Sequence, residues 1–223
     1  MVGATLPGME NTTTYPGTTD LATHYPGRRV GHEAARRRAE QGPGADRTWR
    51  LGADGEERTA HLLESLTGRT RRDRFLHRPP SWRVLHSVPL DDGTADIDHV
   101  LIGPPGVCVV NTRHHRGGRV LLDGDALVVN GFRTDAVARA RAEGALARAL
   151  LLPRLEAELG PVPVRPVIAI VGAAMQVARW PDDVIVATEG ALIAAMRGLA
   201  PVLDARRVER VHDVARRPES WRV

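Results

Sequence analysis

Apolar and polar positions divide the chain near residue 48 into a polar opening stretch and a long patterned region. Asp54 can cap a helix, Glu57 follows three residues later, and Ala60, Leu62, Leu63 and Leu66 form an apolar stripe that Gly68 ends. This spacing predicts an amphipathic helix beginning at Asp54. Short apolar runs follow at Trp82–Val88, Ala95–Ile102, Val107–Thr112, Val120–Leu122 and Ala126–Val129. They are separated by Asp91-Asp92-Gly93, Pro104-Pro105-Gly106, Gly117-Gly118 and Asp123-Gly124-Asp125, which is the turn chemistry of a strand meander.

A second helix is predicted from about Thr134, where Val137, Ala140, Gly144, Ala147 and Leu151 recur on one face opposite Arg139, Arg141 and Arg148. Pro153 is expected to break or restart it before Gly160. Val164–Val171 is apolar enough for a strand covered on both sides, and Val184–Ala187 reads as another. Thr188 is placed as the cap of a helix through Leu199, and an arginine-rich helix over Asp204–Arg216 closes an α/β order.

Residues 1 to about 47 carry few large apolar side chains to offset the entropy of ordering them. They are expected to form a disordered tail, with a transient helix near Glu33–Gln41, ahead of one domain over residues 48–223. A hydrophobic fraction of 42% supports a real core in that domain. No run approaches the roughly 20 apolar residues that span a bilayer, and the first 25 residues lack the apolar centre of a signal peptide. A cytoplasmic protein with no membrane contact is the expectation.

All 31 basic residues are arginine, which excludes chemistry requiring a lysine amine. The formal charge of +4 gives mild support for a nucleic-acid partner. The single cysteine, Cys108, lies in an apolar run and reads as a reduced core residue.

Several short motifs occur in a fixed order. Gly55-Glu56 opens the first helix; Trp82-Arg83-Val84-Leu85-His86 leads to Val88-Pro89-Leu90; and Ile97-Asp98-His99-Val100 precedes Gly103-Pro104 and Gly106-Val107. The next strand ends Val110-Asn111-Thr112-Arg113, and Asn130-Gly131 follows. In this order and spacing, over about residues 52–152, the chain resembles the nuclease-related domain (NERD) family. The resemblance implies a restriction-endonuclease-like fold of the PD-(D/E)xK type, a mixed sheet flanked by helices. Its site is a helix Glu, a strand Asp, then an acid and a Lys two apart on the next strand. Those positions fall on Glu56, Asp98, Asn111 and Arg113, so the strand acid and the Lys are both replaced.

Side chains two apart on a strand share a face, which pairs Asp96 with Asp98 and Asn111 with Arg113 and turns His99 the other way. Were the two strands neighbours, Asp98, Asn111 and Arg113 would line a cleft reached by Glu56. Asp98 and Glu56 would then hold one Mg²⁺, with Asn111 lending a carbonyl oxygen. Arg113 can clamp a phosphate but cannot act as a base. The bland alternatives are a first-turn acid favoured by the helix dipole for Glu56 and a solvated strand acid for Asp96. His99, His114 and His115 lack the cysteine partners of a zinc site, and His99 reads as a hydrogen-bonded structural residue.

Arg69, Arg71, Arg72 and Arg74, with His114, His115 and Arg116, are the expected nucleic-acid contacts, although such runs are often only solvated loops. Three functions fit these residues: a Mg²⁺-dependent DNA phosphodiesterase with a degenerate site, an inactive nuclease fold that binds nucleic acid or a protein partner, and a scaffold domain with an arginine-rich surface. The same two replacements that weaken the first favour the second.

Overall fold

The computed structural model describes residues 20–41, 47–68, 75, 81–90 and 95–222. In chain order the helices are α1 (Arg28–Gln41), α2 (Arg47–Thr67), α3 (Ala136–Leu159), α4 (Leu192–Gly198) and α5 (Ala205–Ala215). The strands are β1 (Arg83–Leu90), β2 (Ala95–Gly103), β3 (Gly106–His114), β4 (Arg119–Asp123), β5 (Ala126–Val129), β6 (Phe132–Thr134), β7 (Val164–Val171), β8 (Ala174–Arg179) and β9 (Ile185–Thr188).

The main sheet has the order β1-β2-β3-β7-β9, antiparallel from β1 to β3 and parallel from β3 to β9. A second sheet, β6-β5-β4-β8, repeats the scheme with β4 parallel to β8. The chain therefore leaves β3 and β7 for neighbouring strands of the second sheet, and α3 makes the crossover that returns it to β7. This mixed α/β architecture agrees with the fold class expected from the sequence.

Alternation along β3 divides the core. Val107 and Val109 join Ala147, Leu151 and Leu155 of α3 and Val208 and Val211 of α5 on one face. Cys108 and Val110 join Leu63 and Leu66 of α2 and Met196 of α4 on the other. Burial pushes the Cys108 thiol up to about 12, so it remains a neutral packing group.

Three expectations need correction. Helix α2 starts at Arg47 rather than Asp54, which places Gly55 and Glu56 well inside it and removes the first-turn reading of Glu56. Helix α3 runs through Pro153 without a break. An interior proline costs about 3 kcal/mol, whereas burying Leu151 and Leu155 returns roughly 1.5–3 kcal/mol each. Thr188 ends β9, and α4 starts after Ala191 without a side-chain cap. Within the segment expected as a tail, Leu21 is 1% exposed in the core, its N–H donates to Arg216 O at 2.8 Å, and α1 spans Arg28–Gln41. Residues 1–19 lie outside the described residues. Among the described residues no helix is long and apolar enough to cross a membrane.

Candidate active site

Strands β2 and β3 pair from Gly103↔Gly106 to His99↔Val110, and the ladder stops one position short of Asp98. Beyond it, Asp98 Oδ2 accepts the Thr112 N–H at 2.7 Å. A carboxylate thus stands where a backbone carbonyl would continue the sheet.

Alternation slips at the same level. Ile97 and Val100 belong to one core cluster, as do Leu85 and Val88 on β1, spacings of three that a regular strand does not allow. The slip falls at Asp98 and Ser87, which the flanking pairs His86↔His99 and Val88↔Ile97 set opposite each other. Ser87 carries the slip with a φ of +45°, unfavourable for a residue with a Cβ. The N-terminal segment holds it there: Ser87 Oγ donates to Tyr25 O and accepts from the Arg28 N–H, each at 3.2 Å.

Helix α2 delivers Glu56. A Cβ on Gly55 would come within 2.7 Å of His114 Cβ and 3.3 Å of Thr112 Cγ2, so glycine lets the helix settle on the end of β3. Glu56 is 6% exposed, and its Oε2 accepts the Gly27 N–H at 3.0 Å. Burial pushes its carboxyl up to about 8; the charges of Asp98 and Asp96 add to the rise, while the Gly27 N–H and Arg113 oppose it. Asp98 is raised to about 6, again mainly by burial; Thr112 N–H and Arg113 oppose the rise, and Glu143 and Asp96 add to it. Glu56, Asp98 and Arg113 are therefore within each other's fields although they come from three elements.

Asn111 is 3% exposed and donates from Nδ2 to Glu143 Oε2 at 2.6 Å. Glu143 stands on α3 beside Gly144, where a Cβ would come within 3.1 Å of Pro166 Cβ on β7. Burial raises the Glu143 carboxyl, opposed by the Asn111 hydrogen bond, Arg113 and Arg139. Each flanking helix thus brings a glutamate to the end of β3 beside a glycine that permits close approach. Sequence reasoning missed Glu143. Its signal was an acid three residues after Ala140 and four before Ala147, on the face that those two residues bury.

The remaining expected residues separate. Arg113 is partly exposed, and its charge reaches Glu56, Asp98 and Glu143. Among the contact candidates, His114 is held inward, its Nδ1 donating to Leu51 O at 2.7 Å, while His115 is partly exposed and Arg116 is exposed. Arg69, Arg71, Arg72 and Arg74 lie outside the described residues. His99 pairs with His86 through their Nδ1 atoms at 2.9 Å, a structural role in keeping with its sequence reading. Burial holds both rings below the ordinary imidazole value. A separate cluster on α5 gathers Glu209, His212 and Asp213, but Glu209 is already paired with Arg83.

Comparison with known families places the chain. The model of the nuclease-related domain family matches residues 51–171, beyond the extent read from the motifs and far enough to take in Glu143 and β7. No curated protein and no solved structure matches it.

Proposed function

The chain belongs to the nuclease-related domain family, and from that premise we propose that it is a nucleic-acid phosphodiesterase dependent on a divalent cation, Mg²⁺ first among the candidates, with DNA as substrate. The observation that carries this reading is the approach of two buried carboxyls from different elements, Asp98 accepting the Thr112 N–H and Glu56 the Gly27 N–H, both raised above their ordinary values chiefly by burial and both in the field of Arg113.

The donor set fits a hard cation. Mg²⁺ takes oxygen ligands and is held by one or two carboxylates together with substrate phosphate and water. Glu56 and Asp98 are the carboxylates, and Asn111 is the weaker third donor. When bound, the cation supplies Lewis acidity at the phosphate and lowers the pKa of water. Arg113 clamps the phosphate with its fork of donors and stabilises charge developing on it. Because a guanidinium does not give up its proton, Arg113 cannot deprotonate the attacking water as a lysine amine can.

The second reading, an inactive nuclease fold that binds nucleic acid, is favoured by the Gly27 N–H on the Glu56 carboxyl and by the replaced strand acid and lysine. One assay separates the two: plasmid and linear DNA incubated with the protein at graded Mg²⁺ and Mn²⁺, beside Asp98→Ala. Phosphodiesterase chemistry predicts cation-dependent cleavage that falls at least about a hundredfold in the variant, since loss of an outer-shell partner alone costs 10–100-fold. Salt-sensitive binding without cleavage at any cation concentration would establish the second reading instead.

A further inference from the structure

An asparagine can stand in for a carboxylate ligand only if its carbonyl oxygen, not its NH₂ group, faces the cation. An amide is free to turn either way, so a lone Asn111 would present the wrong end part of the time. Here the choice is made by a second side chain. Nδ2 of Asn111 donates to Glu143 Oε2 at 2.6 Å. A carboxylate in its ionised form accepts and never donates, so with Glu143 ionised this contact selects the orientation on chemical grounds. With the nitrogen committed to α3, the carbonyl oxygen is the end turned from Glu143. Asn111 is 3% exposed, so solvent offers its NH₂ group little competition with Glu143.

The approach of Glu143 is built into the packing. Gly144 allows α3 to close on Pro166, and Ala140 and Ala147, on either side of Glu143 along the same face, are fully buried. A carboxylate set between those positions sits where the helix meets the sheet, and its hydrogen-bond partner there is the residue that replaces the strand acid.

We infer that Glu143 is a positioning residue of the cation site: it fixes the amide of Asn111 so that the carbonyl oxygen serves in place of the missing strand carboxylate. This rests on the cation-dependent reading above.

The test is a double-mutant cycle read by Mn²⁺ binding to the full chain, followed by the electron paramagnetic resonance signal of free Mn²⁺. Four proteins are compared: wild type, Glu143→Ala, Asn111→Asp and the double variant, with Asp98→Ala as control. In the wild-type background Glu143→Ala should weaken Mn²⁺ binding at least tenfold. In the Asn111→Asp background both ends of the side chain are oxygens and no orientation remains to be chosen, so the same change should cost less than threefold or give a gain. Folding is checked by melting without metal. Should Glu143→Ala unfold the chain, Glu143→Leu fills the same space on the helix and enters the same cycle.

Equal losses in the two backgrounds would overturn the inference, showing that Glu143 acts as a ligand or through its charge alone. An unchanged affinity in Glu143→Ala, with binding lost in Asp98→Ala, would overturn it and leave the cation reading standing. Absence of Mn²⁺ binding by the wild type would overturn both.

Discussion

Carboxylates on the surface of this protein and those at the end of β3 live under opposite conditions. On the surface, Arg216 beside Asp20 holds its carboxyl at about 2, Arg139 lowers Asp135, and Arg141 lowers Asp183. At the site Glu56 is pushed up to about 8, Asp98 to about 6, and Glu143 rises as well, in each case chiefly through burial. With 31 arginines in the chain, the contrast is not one of supply. The site acids lie in the field of Arg113, whereas Asp20, Asp135 and Asp183 each accept a hydrogen bond directly from an arginine side chain. Buried carboxyls whose charged forms the fold disfavours are enriched at functional sites, and the divalent cation proposed above would supply the missing counter-charge.

The contrast can be tested from both sides. The largest change should come from restoring the missing groups: Asn111→Glu with Arg113→Lys adds a carboxylate to the proposed site and should raise Mg²⁺ affinity about tenfold, since added ligand charge tightens hard-cation sites, measured by calorimetry. No gain would mean that these positions are not part of a cation site.

Next in size is the cost carried by Glu56. Its carboxyl rises from 4.5 to about 8, so the folded chain binds this proton more tightly than the unfolded one. The stability that this supplies is fully present below pH 4.5 and is lost as pH rises through about 8. Glu56→Gln removes the titration, so without metal the variant should melt about 4 °C above wild type at pH 8, with a smaller difference at pH 5; about 1–2 kcal/mol corresponds to such a shift in a protein of this size. Equal melting temperatures at both values would show that the carboxyl is not held under strain.

The smallest effect belongs to the surface. Asp20 is lowered from 3.8 to about 2, so its contribution is present above pH 3.8 and lost as pH falls through about 2. The Asp20 and Arg216 side chains are 33% and 38% exposed, and solvent screening holds the pair to about 1 kcal/mol or less. Asp20→Asn should therefore lower the neutral-pH melting temperature by a few degrees at most and leave Mg²⁺ affinity unchanged; a weakened affinity would mean that the N-terminal segment bears on the site electrostatically.

Much of this organisation was legible because burial imposes a period on sequence. The short apolar run of β3 and the Ala60–Leu66 stripe of α2 announced their elements, and β7 was readable as a strand covered on both faces. Strand β8 escaped because most of its residues are exposed and no alternation was required of them. The start of α2 was obscured by Gly52, Asp54 and Gly55, which look like punctuation until Gly55 is seen against His114. The docking of Leu21 rests on one apolar residue in a polar segment, too little for a pattern. Within the site, the motif order gave Glu56, Asp98, Asn111 and Arg113. The slip at Ser87 and Asp98 and the reach of Glu143 are tertiary, arising where strands part and a helix closes in.

In the proposed site Glu56 and Asp98 hold a divalent cation between α2 and the parting strands. The direct measurement is anomalous scattering from crystals of the wild-type protein grown with Mn²⁺. A cation held there gives a peak at coordination distance from Asp98 and Glu56, with Asn111 adjoining it. A peak on α5 at Glu209, His212 and Asp213 with none at Asp98 would contradict it, as would featureless density at both places.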